Sequence, residues 1–332
     1  MPYTQAVQAL KLIEEATSVV IVQADNPDSD SLGSALAFEQ ILLTLNKPSF
    51  LYCSSDMPSY LHYLEGWDRV EKSLPNNFDL SVIVDASTSS LLEKLEHQQQ
   101  IKKLKAQPCL VIDHHEVVEN QINFATVLIN DFKSSSTGEV IYNLAKQTNL
   151  HLNNQALINI MAAILGDTQG LSNQLASSQT YKIMAEMLDL GISRAELEEK
   201  RRQWSKMPET IYRYKAELIK RTELDLKSKS AVVVIPYKEI TEFSPLYNPV
   251  ALIQNDMLQI TDIEVAIVLK TYPEGKITGA IRSNLNYPVA GQLADKFGGG
   301  GHSNASGFKI DNCGNLADLK HRLIIELGNL IN

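Results

Sequence analysis

Apolar residues in the first half of this chain come in short unbroken runs rather than in alternation. Residues 18–23 (SVVIVQ), 50–52, 80–84 (LSVIV) and 109–112 (CLVI) are rich in β-branched side chains. Such runs predict strands buried on both faces. Around them, apolar positions recur at helical spacing over 32–45, 136–148, 154–165, 177–191 and 194–203. Strands alternating with helices predict an α/β fold with a parallel sheet covered on both sides. The opening MPYTQAVQALKLIEEA reads as an amphipathic helix with acidic residues, not as a signal peptide. No run of 18 apolar residues occurs, so no membrane span and no membrane partner is expected.

Periodicity changes near residue 200. Residues 200–225 are charged and helical in pattern, and serve as a connector. Beyond residue 229, AVVVIP, EVAIVLKTY and KITGAIRS predict strands, and 289–297 and 316–327 predict helices. The chain has 332 residues, 44% hydrophobic and 21% charged, enough for two domains that each bury a core. Its formal net charge of -9 disfavours a grip on long duplex nucleic acid, which draws its affinity from basic residues. A short or mononucleotide-sized substrate fits better. Cys53, Cys109 and Cys313 are odd in number and widely spaced, so they predict buried thiols in a reducing cytoplasm rather than a disulfide framework.

In parallel sheets, polar functional residues gather beyond the C-terminal ends of the strands. Asp25-Asn26-Pro27-Asp28-Ser29-Asp30 follows the first run, Asp85 follows LSVIV, and Asp113-His114-His115 follows CLVI. Gly166-Asp167-Thr168 follows the apolar helical run MAAIL. Asp28, Asp30, Asp85 and Asp167 brought to one sheet edge would repel one another unless divalent cations neutralise them. Oxygen donors with an imidazole suit manganese or magnesium better than zinc. Two such ions sharing a carboxylate can activate water for displacement at phosphorus. The stretch Ser134-Ser135-Ser136-Thr137-Gly138-Glu139 predicts a helix N-cap with Glu139 in the first turn. Gly298-Gly299-Gly300-Gly301-His302 is the strongest local signal of the second half. Consecutive glycines let backbone amides approach an anion closely, and His302 can donate to a phosphate. Arg282, at the end of a predicted strand, offers a planar fork for phosphate or a base edge.

Taken in order, Asn26-Pro27-Asp28-Ser29-Asp30-Ser31-Leu32-Gly33-Ser34, Asp85, Asp113-His114-His115 and Gly166-Asp167-Thr168 resemble the motifs of the DHH phosphoesterase family. GGGGHSNASGF resembles the substrate-binding motif of its DHH-associated domain. The resemblance implies a parallel-sheet N-terminal DHH domain over 1–199, a helical connector over 200–228, and a smaller α/β DHH-associated domain with a mixed sheet over 229–332. It implies a hydrolase acting on short oligonucleotides or small nucleotides such as pAp and pApA, with cyclic dinucleotides as the alternative. It implies Asp30, Asp85, His114 and Asp167 around one ion of Mn2+ or Mg2+, and Asp28 and Asp85 at a second. His115 and Asp113 become the catalytic pair, His115 toward substrate and Asp113 orienting the histidines. Arg282, Gly299, Gly300, Gly301 and His302 become substrate contacts, and a homodimer is in keeping with relatives of this kind. The sequence departs from the family at Ala24, where a ligating histidine is usual, with Gln23 and Asp25 beside it, and at Asn284, where a basic residue is common. The first departure opens a second expectation, a nucleotide binder with impaired catalysis.

Overall fold

The computed structural model of the protein describes residues 3–97, 100–116, 121–244 and 247–331. Its backbone separates between Lys206 and Met207 into two units. The helical stretch expected at 200–228 falls across this division. Its first residues complete a helix of the first unit, and Ile211, Tyr214 and Leu218 are buried in a core of the second.

The first unit runs α1 (Ala6–Glu15), β1 (Val19–Val22), α2 (Ser29–Thr44), β2 (Ser49–Tyr52), β3 (Val70–Glu71), β4 (Leu80–Val84), α3 (Glu93–His97), α4 (Ile101–Lys105), β5 (Cys109–Asp113), β6 (Val127–Asn130), α5 (Thr137–Thr148), α6 (Asn154–Asp167), α7 (Ser178–Asp189) and α8 (Arg194–Trp204). The strands form one sheet in the order β3-β2-β1-β4-β5-β6, parallel throughout. Continuous apolar runs are explained by the two cores they serve. Val19, Ile21, Val82 and Leu110 join Leu36, Ile160 and Ile164 on one face, and Val20, Val22, Ile83 and Val111 join Leu95 and Leu104 on the other. Each such side chain withdrawn from water contributes about 1.5–3 kcal/mol. β3 and β6 escaped the sequence reading. Two residues of β3 give no period, and β6 is only half-buried at alternate positions.

The chain order reverses direction across the sheet between β1 and β4, the place where a crevice opens in folds of this kind. α2 starts three residues earlier than its apolar stripe suggests. The Asp28 carboxylate caps it by accepting from the amides of Asp30 and Ser31, so Asp30 belongs to a helical first turn rather than to a loop. Gly166 lets α6 reach this turn: a Cβ there would lie 2.6 Å from the Cβ of Ser29.

The second unit opens with α9 (Glu209–Lys220) and continues β7 (Glu223–Asp225), β8 (Ser230–Ile235), α10 (Tyr237–Phe243), α11 (Pro249–Met257), β9 (Val265–Thr271), β10 (Ile277–Ser283), α12 (Ala290–Asp295), β11 (Gly300–His302), β12 (Ala305–Ile310) and α13 (Leu316–Ile331). Its sheet is mixed, in the order β11-β12-β10-β9-β8-β7, with β8 and β9 parallel and the other pairs antiparallel. Cores lie on both faces. The glycine tract is therefore partly a strand rather than wholly a loop. The three cysteines are unpaired, Cys53 and Cys109 buried and Cys313 half-buried. Among the described residues no helix is long and apolar enough to cross a membrane.

Candidate metal centre

Four segments of the first unit deliver acidic or imidazole groups to one place. Asp30 comes from the first turn of α2, Asp85 from the residue after β4, Asp113-His114-His115 from the end of β5, and Asp167 from the last turn of α6. Asp167 thus arrives on a helix end, whereas the other three segments follow strands. The atoms converge on His114: its Nε2 lies 3.0 Å from Asp167 Oδ2, 3.5 Å from Asp30 Oδ2 and 3.8 Å from Asp85 Oδ1. Although close to Asp167, this buried nitrogen has no partner with hydrogen-bond geometry. Two groups bring their donor atoms within 4.8 Å of one another: Asp30, His114 and Asp167, and Asp85, Asp113, His114 and His115.

Local structure holds these groups with little freedom. Asp85 has φ of +58°, a left-handed conformation that an aspartate tolerates at some cost. Asp113 Oδ1 accepts from the amides of His114 and His115 at 2.7 and 3.1 Å and from His115 Nδ1 at 2.8 Å. One buried carboxylate therefore fixes both histidines, leaving His115 about half exposed.

Helix α5 completes the enclosure. Ser136 caps it by accepting from the Glu139 amide, as the sequence predicts. The amides of Thr137 and Gly138 at its N-terminus donate to Asp30 at 2.7 and 3.0 Å, where the helix dipole favours an anion. The Thr137 hydroxyl donates to Asp85 at 3.1 Å and Ser34 donates to Asp30 at 3.0 Å. Buried Glu139 in turn accepts from the hydroxyls of Ser135 and Thr180. Sequence reasoning identified the cap but missed Thr137 and Ser34 as partners of the acidic groups. The available signal was a hydroxyl and a glycine at the start of a helix whose cap was already evident.

The electrostatics are those of a site with more carboxylates than its two imidazoles can balance. Burial, then the charges of Asp30, Asp28, Asp113 and Asp167, push Asp85 well above the usual carboxylate range. Burial and Asp30 raise Asp167 to about 6, and burial and Asp30 also raise Asp28. For His114, burial favours the neutral ring, but Asp167, Asp30 and Asp113 outweigh it and hold the imidazole up to about 9. Asp113 behaves oppositely: burial is outweighed by its bonds to His115, and it falls below the usual range. A divalent cation fits this donor set, because it removes the repulsion and supplies a partner for the unsatisfied His114 Nε2.

Not every expected ligand is equally placed. Asp28 stands beside Asp30, but its Oδ1 is spent on capping α2, and it belongs to neither converging group. Ala24 is buried and its carbonyl accepts from the Cys53 thiol. Asp25 is no substitute ligand: its carboxylate accepts from Ser54 Oγ at 2.5 Å and from the Lys94 amide at 2.8 Å.

In the second unit, the register aligns Arg282 of β10, Ala305 of β12 and His302 of β11 in one row across the sheet. Arg282 is exposed and donates to Asn255 Oδ1 at 3.1 Å. Asn284 is committed to Glu264, donating at 2.7 Å. The side chain of His302 lies outside the described residues. Close packing accounts for two of the glycines: a Cβ on Gly299 would lie 2.1 Å from the Gly307 carbonyl oxygen, and one on Gly301 2.7 Å from Ser306 Cα. Gly298 and Gly301 have φ of +72° and +138°, conformations open to glycine.

Residues 18–165 match the model of the DHH family, N-terminal domain, and residues 247–328 that of the DHHA1 domain. The chain is 25% identical over 300 residues to a Streptococcus mutans protein named "Probable bifunctional oligoribonuclease and PAP phosphatase", covering 90% of this chain and 91% of that one. It is 24% identical to the bifunctional oligoribonuclease and PAP phosphatase of Bacillus subtilis, covering 92% and 93%. A cyclic-di-AMP phosphodiesterase of Bacillus subtilis is also 24% identical, across 95% of this chain and 49% of that one. The fold is shared with an exopolyphosphatase-related protein from Bacteroides fragilis, with a TM-score of 0.84 at 21% identity over 98% of this chain and 97% of that one. The chain therefore carries a DHH family N-terminal domain followed by a DHHA1 domain.

Proposed function

We propose that this protein is a divalent-metal-dependent phosphoesterase that hydrolyses short oligonucleotides or small nucleotides such as pAp and pApA. The observation that carries the reading is the convergence of Asp30, Asp85, Asp113, His114, His115 and Asp167, from four chain segments, around an unpartnered imidazole nitrogen. Names borne by the relatives support the substrate class, and the net charge of -9 agrees with a small substrate rather than a long duplex. When bound, Mn2+ or Mg2+ would supply Lewis acidity and an activated water. Asp30, Asp85, His114 and Asp167 would hold one ion, and Asp85 with Asp28 a second. Thr137, Gly138 and Ser34 keep Asp30 and Asp85 oriented toward that position. His115, fixed by Asp113 and half exposed, faces the reacting phosphate. In the second unit, Arg282, His302 and Gly299, Gly300 and Gly301 hold the nucleotide by charge and backbone amides.

The test is release of AMP from pApA, and of phosphate from pAp, with manganese or magnesium, read by chromatography. No release at any concentration of either ion would end this reading. A second reading, a nucleotide sensor, is favoured by two features of the second ion position: Ala24 offers no ligand and Asp28 is half spent on capping. Tight nucleotide binding without release would select it. The substitution Ala24→His should then tighten metal binding.

A further inference from the structure

Beside the acidic groups the first unit carries aromatic rings that the hydrolytic reading leaves unused. The segment between β2 and β3 places the imidazole of His62 flat against the indole of Trp67, with centroids 3.4 Å apart and planes within 9°. The Trp204 ring from α8 meets His62 edge-on at 5.5 Å and 73°. His62 Nε2 is tied to the Met57 carbonyl oxygen at 3.1 Å, which fixes the ring plane. Buried Leu61 anchors this segment in the core. Yet Tyr60 is 47% exposed and Trp204 50% exposed. An exposed indole set edge-on to a fixed ring, with an exposed phenol on the turn beside it, is apolar surface that a ligand can cover.

The same segment touches the metal centre. The Tyr63 hydroxyl donates to Ser29 Oγ, between Asp28 and Asp30. Tyr60 lies in the turn over Ser59–Leu61, which packs against α8, the helix that ends at Trp204. Around Trp204 the chain carries Lys200 and Lys206, while Arg201 and Arg202 are paired with Glu198 and Glu199. Flat rings interleaved with cations, continuous with a site for a phosphoester, are what single-stranded nucleic acid requires: bases stack while phosphates are screened.

We propose that Tyr60 and Trp204, braced by the His62–Trp67 stack, form a platform on which a base of a short single-stranded oligonucleotide stacks while its neighbouring phosphate occupies the acidic centre. The proposal rests on the hydrolytic reading for its ligand class, but its test does not depend on turnover. The probe is a five-residue oligoadenylate carrying a dye at one end, bound in the presence of Mn2+ to full-length protein carrying Asp85→Asn, with the anisotropy of the dye as the signal. A series of the same oligonucleotide with one abasic residue at each position in turn keeps every phosphate and removes one ring.

At one position the missing base should weaken binding about tenfold, within the range for stacking on an aromatic side chain. Trp204→Leu or Tyr60→Ala should abolish that difference, and Trp204→Phe or Tyr60→Phe should retain most of it. Equal affinity across the abasic series, no binding of the oligonucleotide at all, or discrimination that survives Trp204→Leu and Tyr60→Ala together would overturn the platform. So would self-association of the wild type that Trp204→Leu removes without any base effect, which would assign the rings to a second copy of this chain. Base-dependent binding by a wild type that releases no product would spare the platform and end the hydrolytic reading. Release of AMP from pApA with a flat abasic series would do the reverse.

Discussion

The two units solve opposite problems with their polar residues. In the first, Asp30 and Asp113 are fully buried, Asp85 and His114 nearly so, and their mutual repulsion is left for a ligand to relieve. In the second, Arg282 stands in solvent and the close-packed glycines fit backbone against backbone. One unit is folded around a charge imbalance, and the other around a shape. The first should therefore respond to cations and to neutral isosteres, and the second to changes of volume and to anions.

The sharpest way to break this contrast is Asp85→Asn. Asp85 is raised by burial and then by four neighbouring carboxylates, and it accepts from Thr137, so the amide keeps the fold while removing an ionisable group. Turnover of pApA should fall by roughly 10²–10³-fold or more, the scale of losing a placed electrostatic group. Metal-free protein should melt at a higher temperature than wild type, because a repulsive charge has gone. Retention of most activity would remove Asp85 from the chemistry.

That contrast was legible in the sequence to different depths. Strands β1, β4 and β5 showed themselves because burial on both faces demands unbroken apolar runs. The residues that follow them were therefore placed correctly at one sheet edge. Asp167 was recognised as a motif residue, but only the close approach of α6 at Gly166 brings a helix end to that edge. Asp28 was expected as a ligand and is also a cap; composition cannot say how a carboxylate divides its lone pairs. Ser34 stands one helical turn from Asp30 in α2, a spacing open to reading, whereas the bond from Thr137 to Asp85 joins residues 52 positions apart and is decided by how α5 packs on the sheet edge. In the second unit, glycines that suggest an anion nest are also what close strand packing demands, and a linear pattern does not separate the two.

Cation binding sharpens the contrast by stabilising one unit only. At a hundredfold excess over its dissociation constant, Mn2+ should add about 2.7 kcal/mol to the stability of the protein. Calorimetry of the full chain with Mn2+ and with EDTA should show the gain. Asp30→Asn should lose it, since Asp30 lies 3.5 Å from His114 Nε2, whereas Arg282→Ala should keep it. An equal gain in both variants would mean that the ion binds elsewhere.

Shape can be tested with Gly301→Ala. At φ of +138°, with Ser306 Cα 2.7 Å from the new methyl, the hairpin of β11 and β12 must distort. The expected loss is about 1–3 kcal/mol, the cost of a residue held in such a region. Denaturation should show the loss, with Mn2+ affinity of the first unit preserved. An unchanged stability would argue that this edge strand is not held as closely as its register indicates.

The smallest expected effect separates charge from geometry at Arg282. Its guanidinium has five donors, and one bond, to Asn255, is recorded among the described residues. The remaining fork can take a phosphate in two parallel bonds, which a lysine cannot copy. Arg282→Ala should raise KM for pApA about tenfold with kcat nearly kept, the loss of one charge-assisted bond being worth roughly 1.5–3 kcal/mol. Arg282→Lys should recover only part of that loss. A fall in kcat at constant KM would instead place Arg282 in the reacting step, and the division between a unit that acts and a unit that holds would fail at this residue.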